Sequence, residues 1–289
     1  MKTELSRRSF ITQAGIAAGG VALSSIGGCS SDSNSAPPPT GPTAKDFPYE
    51  QFLPAGYTIT ASQKSAIAES GYHGFWVAGC CHGVYKAVME HFANTVGAPF
   101  DQLPLNIGAF GGGGIGGYGS ICGAILGGVL ALNNLVATAA ARTAMLQDLM
   151  RWYEGFAFPA YVPATIDPAE AASPGTTLDF SAGNIVNLQV TPHNHLCHAS
   201  RSQWCMHNRV AANSKDLSAR CGRLTADVAG KVVDLLNAYL ANHAYTAAAI
   251  DAASSTCLGC HPASSTTTPV ASGMGCTSCH PNKTTVPHP

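Results

Sequence analysis

Apolar and polar positions alternate with helical spacing through most of the chain, so the sequence predicts a mainly α-helical protein. The segment 63–96 has apolar residues three or four positions apart, on one face of a helix: Val77, Cys80, Val84, Val88 and Phe92. The segment 121–135 is apolar on nearly all sides, as a buried helix is. Two further helices are predicted at 143–153 and 224–244, separated by a long connection that prolines interrupt.

A glycine-rich turn at 109–119 joins the first two predicted helices. Gly114, Gly116 and Gly119 have the spacing of a dinucleotide-binding loop, but no strand of a βαβ unit precedes them and no acidic residue is placed for a ribose. We therefore expect no nucleotide at this turn. The glycines either allow the backbone to approach a neighbouring helix or a cluster, or form a tight loop packed on the core.

Composition divides the chain into four segments. Residues 1–28 have the pattern of an export signal, and residues 29–45 are rich in Ser, Pro, Asp and Thr, which predicts a disordered linker. Residues 46–250 carry the helical pattern and form the predicted helical domain. In residues 251–289 Ser, Thr, Pro and Gly dominate and almost nothing apolar remains, so this tail needs a bound ligand to supply its core.

The signal begins with Arg7 and Arg8 and continues as an uncharged apolar stretch, which is typical of the twin-arginine export route. It ends in Ile26-Gly-Gly-Cys29, which resembles a lipoprotein cleavage site with Cys29 as the acylated residue; the alternative is an ordinary thiol after simple cleavage. We expect a periplasmic or other extracytoplasmic protein with a membrane tether through Cys29. The formal net charge of −1 and the lack of basic runs argue against nucleic acid as a partner.

The tail carries two Cys-x-x-Cys-His motifs close together. In this order of residues, two thiols are spaced to form thioethers with the haem vinyl groups, and the adjacent imidazole ligates the iron. We therefore expect two haem c groups. The first is held by Cys257, Cys260 and His261, and the second by Cys276, Cys279 and His280.

Besides these motifs and Cys29, six cysteines remain: Cys80, Cys81, Cys122, Cys197, Cys205 and Cys221. In an oxidising compartment they could form three disulfides. However, the first two are adjacent, and adjacent cysteines rarely bridge to two separate partners. The twin-arginine route also serves proteins that fold around a cofactor before export, whereas haem c is attached afterwards. We therefore expect an iron–sulfur cluster ligated by cysteine thiolates.

The segment Cys122-Gly-Ala-Ile-Leu-Gly resembles the CGAxxG motif of the redox-active C_GCAxxG_C_C family. That family has one cysteine upstream on a helix and two downstream, and Cys80 and Cys221 fall in this order. Together with the two haem motifs, residues 70–289 resemble a split-Soret cytochrome c. The resemblance implies a mainly α fold around a cysteine-ligated cluster, with an irregular dihaem segment. It also implies a homodimer with stacked haems and bis-histidine iron.

The resemblance leaves two of the four cluster ligands open, because two positions each have two suitable cysteines. The candidate ligands are Cys80, Cys122, Cys197 and Cys221, with Cys81 and Cys205 as alternatives for the first and third.

Five histidines outside the haem motifs are candidate sixth ligands of the haem irons: His193, His195, His198, His243 and His288. The first three lie around a cysteine in a proline-containing loop, and they could ligate a haem of the same chain, a haem across a dimer, or the cluster. The fourth is predicted at the end of the last helix, and the fifth follows the second haem motif closely enough to reach its iron. Bis-histidine ligation would lower the reduction potential relative to Met/His ligation.

These features together predict an electron-transfer protein that exchanges electrons with redox partner proteins. Because both haem irons would have six ligands, the haems would carry electrons and not bind substrate. One alternative is an oxidoreductase whose active site is the cysteine-ligated cluster, with the haems as its electron supply. Another alternative is a disulfide-stapled binding lipoprotein that merely carries haems.

Overall fold

The structure of the protein, a computed structural model, is described for the following residues: 48–173, 175–267, 269–270, 273–277 and 280. The predicted signal and linker lie outside the described residues, as do three candidate site residues: Cys29, Cys279 and His288. Within the described residues, no helix is both long and apolar enough to span a membrane.

The described chain folds into α-helices joined by turns, which confirms the prediction of a mainly α fold. The helices are α1 (Ala61–Thr95), α2 (Gly123–Leu135), α3 (Ala139–Gly155), α4 (Pro168–Ala171), α5 (Cys197–Asn208), α6 (Lys215–Leu240) and α7 (Ala252–Cys260). Short 3₁₀ helices cover Tyr49–Phe52, Phe100–Gln102, Leu105–Gly111 and Ile185–Leu188. Extended pairing in the described part consists of two isolated antiparallel bridges, Ile121 with Leu196 and Phe158 with Val190.

Helix α1 begins at a capping box and is broken near its middle. The Thr60 side chain accepts a hydrogen bond from the Gln63 amide, and the Gln63 side chain accepts one from the Thr60 amide, which satisfies two otherwise orphaned donors. At Ala78 and Gly79 the backbone leaves the helical conformation, with Gly79 at a φ of 85°. The break changes the direction of the apolar face, so Val77, predicted to be buried, is 73% exposed.

Helices α1, α2 and α6 form the centre of the core. Helix α2 is buried because its sequence is apolar on nearly all sides, and α6 presents a stripe that includes Val228, Val232 and Leu236, each fully buried. Small residues bring the helix axes close together: the Gly71 position in α1 lies against the Ala229 side chain of α6. The core therefore holds the start of α2 beside the middle of α1 and α6.

Two boundaries differ from the sequence prediction, and both concern site residues. Helix α6 begins at Lys215, where the Ser214 side chain caps the Leu217 amide, so Cys221 lies inside the helix and not before it. The helix ends at Leu240, so His243 lies beyond the end and not on it. The N-terminal part was missed because its residues have mixed polarity and no clear apolar period.

Helix α5 was also not predicted, and the segment around Cys197 was interpreted as a loop. Most of its residues are polar, and its apolar contact comes chiefly from Trp204, which is fully buried against Phe180 with ring centroids 6.2 Å apart. Because tertiary packing supplies what the local pattern lacks, Cys197 opens a helix and does not lie in a loop.

A buried ion pair ties the proline-rich connection to α6. The guanidinium of Arg223 lies 2.8 Å from Glu170 Oε1 and donates a second bond of 2.9 Å to Oε2, a two-point geometry that favours a buried pair. Tyr72 of α1 donates a 2.7 Å bond to the same carboxylate. This arginine therefore has its counter-charge within the fold.

Asp148 of α3 anchors the segment that precedes the tail. Its carboxylate accepts bonds from the Tyr245 hydroxyl at 2.7 Å and the Ala248 amide at 2.9 Å, and it pairs with Arg151 at 2.5 Å. Burial raises the pKa of Asp148, but these hydrogen bonds and the arginine charge outweigh burial, so its pKa lies below the ordinary value. The ionised carboxylate is therefore the form that holds the segment.

This anchor gives a pH-dependent prediction. Since the folded pKa is below the unfolded one, the stabilisation is complete above the unfolded pKa, near pH 4, and is lost as the pH falls through the folded pKa. We expect Asp148→Asn to lower the free energy of unfolding by about 2 kcal/mol at pH 7. The difference from wild type should narrow as the pH falls below about 4 in denaturant titrations followed by circular dichroism. A constant difference over that range would contradict the assignment.

Candidate metal centre and haem segment

Three of the candidate cysteines lie at the N-terminal ends of helical segments. Cys80 is the first residue after the break in α1, Cys122 is the N-cap of α2, and Cys197 is the first residue of α5. The unpaired amides and the dipole at a helix N-terminus favour negative charge and thus stabilise thiolates. The fold therefore places three thiols where the backbone supports a negatively charged ligand set.

A backbone bridge fixes the starts of α2 and α5 beside each other. The Cys122 amide donates to the His195 carbonyl at 2.9 Å, and the Cys197 amide donates to the Ser120 carbonyl at 2.6 Å. These two bonds flank the antiparallel pairing of Ile121 with Leu196. The bridge thus sets the spacing of two cysteines that are far apart in sequence.

A cavity of about 220 Å³ lies between these elements and α6. Cys80, Cys197 and Cys221 all line it, and Gly113 of the glycine-rich turn closes another side. Cys122 adjoins the cavity through Cys80, because the two thiols are in hydrogen-bond contact. All four candidate ligands therefore belong to one site.

The alternative cysteines point elsewhere. Cys81 faces the glycine-rich turn, since a side chain at Gly111 would meet its sulfur at 2.6 Å. Cys205 packs in an apolar cluster with Trp204, against which Cys221 also packs, but it does not line the cavity, and its sulfur lies 3.9 Å from the Ala211 carbonyl. The geometry favours Cys80 over Cys81 and Cys197 over Cys205 as ligands.

Gly114 allows the glycine-rich turn to pass over the start of α5. Its φ is 76°, and an added Cβ would lie 2.8 Å from the Ser120 amide nitrogen and 2.9 Å from the Cys197 Cβ. Gly117 has a similar φ of 82°, but an added Cβ there would meet nothing within 4 Å. The two positions therefore differ in crowding and not in backbone conformation.

This pair gives a prediction about the wall of the cavity. We expect Gly117→Ala to cost about 1–2 kcal/mol of stability through backbone strain alone. Gly114→Ala should cost at least about 2 kcal/mol more, because the Ser120 backbone and the Cys197 side chain must move. Chemical denaturation of both variants checks the difference, and equal losses would show that the crowding is relieved without cost.

The contact between Cys80 and Cys122 shifts the pKa values of the two thiols in opposite directions. Hydrogen bonding from Cys80 lowers the pKa of Cys122 to about 6, and bonds from the Tyr153 hydroxyl and the Ala124 amide act in the same direction. The same contact, together with burial, raises the pKa of Cys80 well above its usual value. Cys122 is thus the thiol of this pair that is readily present as a thiolate.

The other candidate thiols at this site can all become thiolates only if a nearby positive charge stabilises them. Burial raises the pKa of Cys197 to about 12, and the negative charges of Cys122 and Cys221 act in the same direction. A coordinated metal reverses this effect, because its charge stabilises several thiolates at once and the ligating thiols lose their protons. The donor chemistry therefore fits a metal-containing group.

Arg220, which directly precedes Cys221, indicates the net charge of that group. Its side chain is 2% exposed, and no carboxylate of the described chain lies within ion-pair distance, in contrast to Arg223. Asp227 is near enough for the arginine to lower its pKa, but burial keeps that pKa raised to about 7. A buried cation requires a counter-charge, which an anionic thiolate-ligated cluster provides and three disulfides do not.

The candidate cysteines line or adjoin one cavity and do not meet at a point. Among the residues that the structure describes, no three Cys, His, Asp or Glu side chains form a group that could hold a metal ion. Cysteine thiolates around a volume are the donor set that holds iron–sulfur clusters, so the residue types present are compatible with such a group.

The first haem motif lies at the end of α7 and is joined to the second. Helix α7 ends at Cys260, directly before His261, and the buried Ser254 hydroxyl accepts a 2.6 Å bond from the Cys276 amide. The Cys257 thiol is in hydrogen-bond contact with the Cys276 thiol. The first cysteines of both motifs thus lie side by side.

A groove of about 660 Å³ runs between α3 and the second motif. Its α3 wall carries residues one helical turn apart, including Asp148 and Trp152, and its far wall includes Gly275 and Thr277. Trp152 is the one aromatic side chain of the α3 wall, among the charged residues Asp148, Arg151 and Glu154, and a large flat ligand could pack on its ring.

Three candidate histidines lie near α5 in different settings. His193 is exposed and lines the groove. The ring of His195 is held by Glu154, with 2.9 Å between Nδ1 and Oε1. His198 is exposed and packs against Gly119 of the glycine-rich turn.

His243 has the setting of a metal-ligating imidazole. Its Nδ1 lies 3.2 Å from Glu50 Oε1, and its ring stacks on Tyr239 with centroids 5.6 Å apart. Its Nε2 is buried without a hydrogen-bond partner among the described residues. A carboxylate that orients one ring nitrogen and leaves the other for the metal is a recurrent arrangement at metal sites.

Three buried polar residues near the cysteines were not predicted from the sequence. Tyr153 and Arg220 each donate a hydrogen bond to the Ser200 hydroxyl, and all three side chains are buried. Of these, only the arginine carried a local signal, since it adjoins Cys221. The other two could not be found, because they reach the site through helices distant in sequence.

Comparison with known proteins places these features in one family. Residues 80–235 match the family described as "Putative redox-active protein (C_GCAxxG_C_C)". The chain is 32% identical over 218 residues to the split-Soret cytochrome c of Desulfovibrio desulfuricans (strain ATCC 27774 / DSM 6949 / MB), covering 74% of this chain and 73% of that protein. These matches confirm the resemblance inferred from the motifs.

A solved structure agrees with both. It is described as "A novel iron centre in the split-Soret cytochrome c from Desulfovibrio desulfuricans ATCC 27774", and it is similar with a TM-score of 0.65 and 29% identity. The similarity covers 82% of this chain and 96% of that one. The chain therefore belongs to the split-Soret cytochrome c family and matches the C_GCAxxG_C_C family over residues 80–235.

Proposed function

We propose that the protein is an exported dihaem c-type cytochrome that transfers electrons through its haems and an iron–sulfur centre in the helical domain. One observation carries the proposal: Cys80, Cys197 and Cys221 line one cavity beside Arg220, a buried cation without a carboxylate partner among the described residues. Thiols around a cavity and a buried arginine without a carboxylate in ion-pair contact together support an anionic thiolate-ligated group.

The cluster ligands in this proposal are Cys80, Cys122, Cys197 and Cys221. When bound, the cluster supplies one-electron transfer. The helix N-termini at three of these residues stabilise the ligand charge, and the glycine-rich turn covers one side of the site. The other two cysteines stay outside the ligand set.

The haem ligands follow from the two motifs. The thioethers form at Cys257 and Cys260 in the first motif and at Cys276 and Cys279 in the second, with His261 and His280 as proximal ligands. The contact between the Cys257 and Cys276 thiols supports haems that lie close together.

We propose His243 and His193 as distal ligands. His243 is oriented by Glu50 and has a buried, unpartnered Nε2, and His193 lines the groove beside the second motif. With histidine on both sides of each iron, no coordination position remains for substrate. The haems then carry electrons and do not bind substrate.

The proposed setting is extracytoplasmic. The twin-arginine pattern around Arg7 and Arg8 supports export, and the sequence around Cys29 supports a lipid tether. The low net charge supports protein partners, and not nucleic acid. We propose redox proteins as partners and a homodimer as the assembly.

A second candidate function is an oxidoreductase that works at the cysteine-ligated centre. The cavity supports it, because Arg201, Asn213 and Ser218 line the same space as the cysteines and could contact a small polar substrate. In that case the haems would supply electrons to the cluster.

Metal and sulfide analysis with EPR on anaerobically purified protein tests the proposal. We expect more than two irons per chain, acid-labile sulfide, and low-spin haem that does not bind CO after reduction. Iron equal to the haem content, no labile sulfide and three disulfides by intact mass would contradict the cluster. High-spin haem that binds CO would instead support an enzyme.

A further inference from the structure

Three buried polar side chains next to the cysteine cavity are joined in series by hydrogen bonds. The Tyr153 hydroxyl lies 2.9 Å from the Ser200 Oγ, and Arg220 donates to the same Oγ at 2.8 Å. Tyr153 also contacts the Cys122 sulfur, and the Arg220 guanidinium lies 4.0 Å from the Cys221 sulfur. The two end members of this series, Tyr153 and Arg220, thus lie beside candidate cluster ligands.

A series of hydrogen-bonded polar side chains is unusual in a buried position. Tyr153, Ser200 and Arg220 are between 0% and 2% exposed, and they come from three different helices. Buried polar groups cost stability unless they are connected, and a buried cation costs more still. Apolar side chains of similar volume would fill the same space at a lower cost in stability. The three polar side chains therefore have a role beyond filling the core.

We propose that Tyr153, Ser200 and Arg220 form a hydrogen-bond relay that positions the Cys122 sulfur and raises the reduction potential of the iron centre. The inference rests on the proposed function, because it assigns an outer-sphere role at the same centre. These three are positioning residues, since they act on the iron through the cysteine ligands.

Hydroxyl protons can turn to suit the charge state of the site. In the structure the Tyr153 hydroxyl donates to Ser200. With Cys122 as a thiolate ligand, the tyrosine hydroxyl would turn to donate to its sulfur, Ser200 would donate to the tyrosine, and Arg220 would still donate to the serine. Every bond then points its positive end toward Cys122. Through this series of hydrogen bonds, the positive charge of the arginine stabilises the negative charge on the Cys122 sulfur, although the arginine does not contact that sulfur.

The effect on the iron centre follows from charge. One-electron reduction adds a negative charge to the cluster, and the electron comes from an external reductant. Hydrogen bonds to a ligand sulfur and a nearby buried cation both stabilise that added charge. Removing a donor from the relay therefore makes the centre harder to reduce.

Tyr153→Phe, with Tyr72→Phe as its matched control, tests the relay in the full-length holoprotein. Both tyrosines are fully buried and donate one hydroxyl bond, but Tyr72 donates to Glu170, away from the cysteines. We expect both variants to lose similar stability and to keep wild-type iron and labile sulfide. Only Tyr153→Phe should shift the potential of the iron centre to a more negative value in an EPR-monitored titration.

A second variant covers the case in which Tyr153→Phe loses its cluster. Ser200→Ala keeps the tyrosine hydroxyl and disconnects it from Arg220, so we expect a smaller negative shift. An unchanged potential in a variant that retains its cluster overturns the relay, and so does loss of the cluster from both variants. Wild-type protein without labile sulfide would instead overturn the proposed function itself, before any variant is compared.

Discussion

Replacing Cys122 with serine removes the labile sulfide and the non-haem iron and leaves both haems attached. Cys122 is the N-cap of α2, and its pKa is lowered to about 6 by hydrogen bonding from Cys80, so it is the thiol best prepared to bind iron. A serine hydroxyl has nearly the same shape but is a much weaker iron ligand. In the proposed function the haems are attached to the cysteines of the tail, so their attachment should not depend on this residue.

Cys205→Ser is the matched control for this result. It also removes a buried thiol, but the Cys205 sulfur packs beside Trp204 and does not line the cavity. We expect wild-type iron and sulfide in the control and only haem iron in Cys122→Ser. Iron analysis, labile sulfide and EPR of the reduced proteins make the comparison. Labile sulfide that persists in Cys122→Ser would exclude Cys122 as an essential ligand.

Replacing Cys260 with serine gives the reverse result, a chain with one haem fewer and an intact iron–sulfur centre. Cys260 is the exposed last residue of α7, and its loss removes one of two thioethers and the x-x-Cys spacing that haem attachment requires. The second motif keeps its own two cysteines. The cysteine cavity lies in the helical domain, so its iron content should not change.

Ser255→Ala on the same helix controls for disturbance of α7, since Ser255 is also exposed. Haem quantification as the pyridine haemochrome and intact mass separate the variants. We expect the control to keep wild-type haem content. Loss of both haems from Cys260→Ser would show that the two motifs are loaded as one unit, and loss of labile sulfide would contradict the separation of the two sites.

The sequence was most informative where apolar spacing was strong or a motif was local. Helix α2 was predicted because it is apolar on nearly all sides, and the haem motifs were recognised because their residues are contiguous. The break at Gly79 was not predicted, because one glycine within a long helical pattern is compatible with an unbroken helix. Helix α5 was missed because its burial depends on a single tryptophan.

The choice among the cysteines could not be made from sequence for a related reason. Cys80 and Cys81 differ by one position on a helix, and the direction of each depends on the break that precedes them. Cys197 and Cys205 lie two turns apart on α5, so only the packing of that helix separates them. The proposed relay joins residues of α3, α5 and α6. A local sequence pattern cannot predict that side chains from three separate helices are in contact.

Helix α3 carries neighbouring residues that face different redox sites. Tyr153 contacts Cys122 on the core side, whereas Trp152 lines the groove beside the second haem motif. With a cluster on one side and a haem on the other, the centres would be separated by roughly one helix diameter, about 10 Å. Charges at that distance in a protein interior repel appreciably. An electron on one centre would therefore make the other harder to reduce, and the two would titrate as an interacting pair with shared macroscopic potentials.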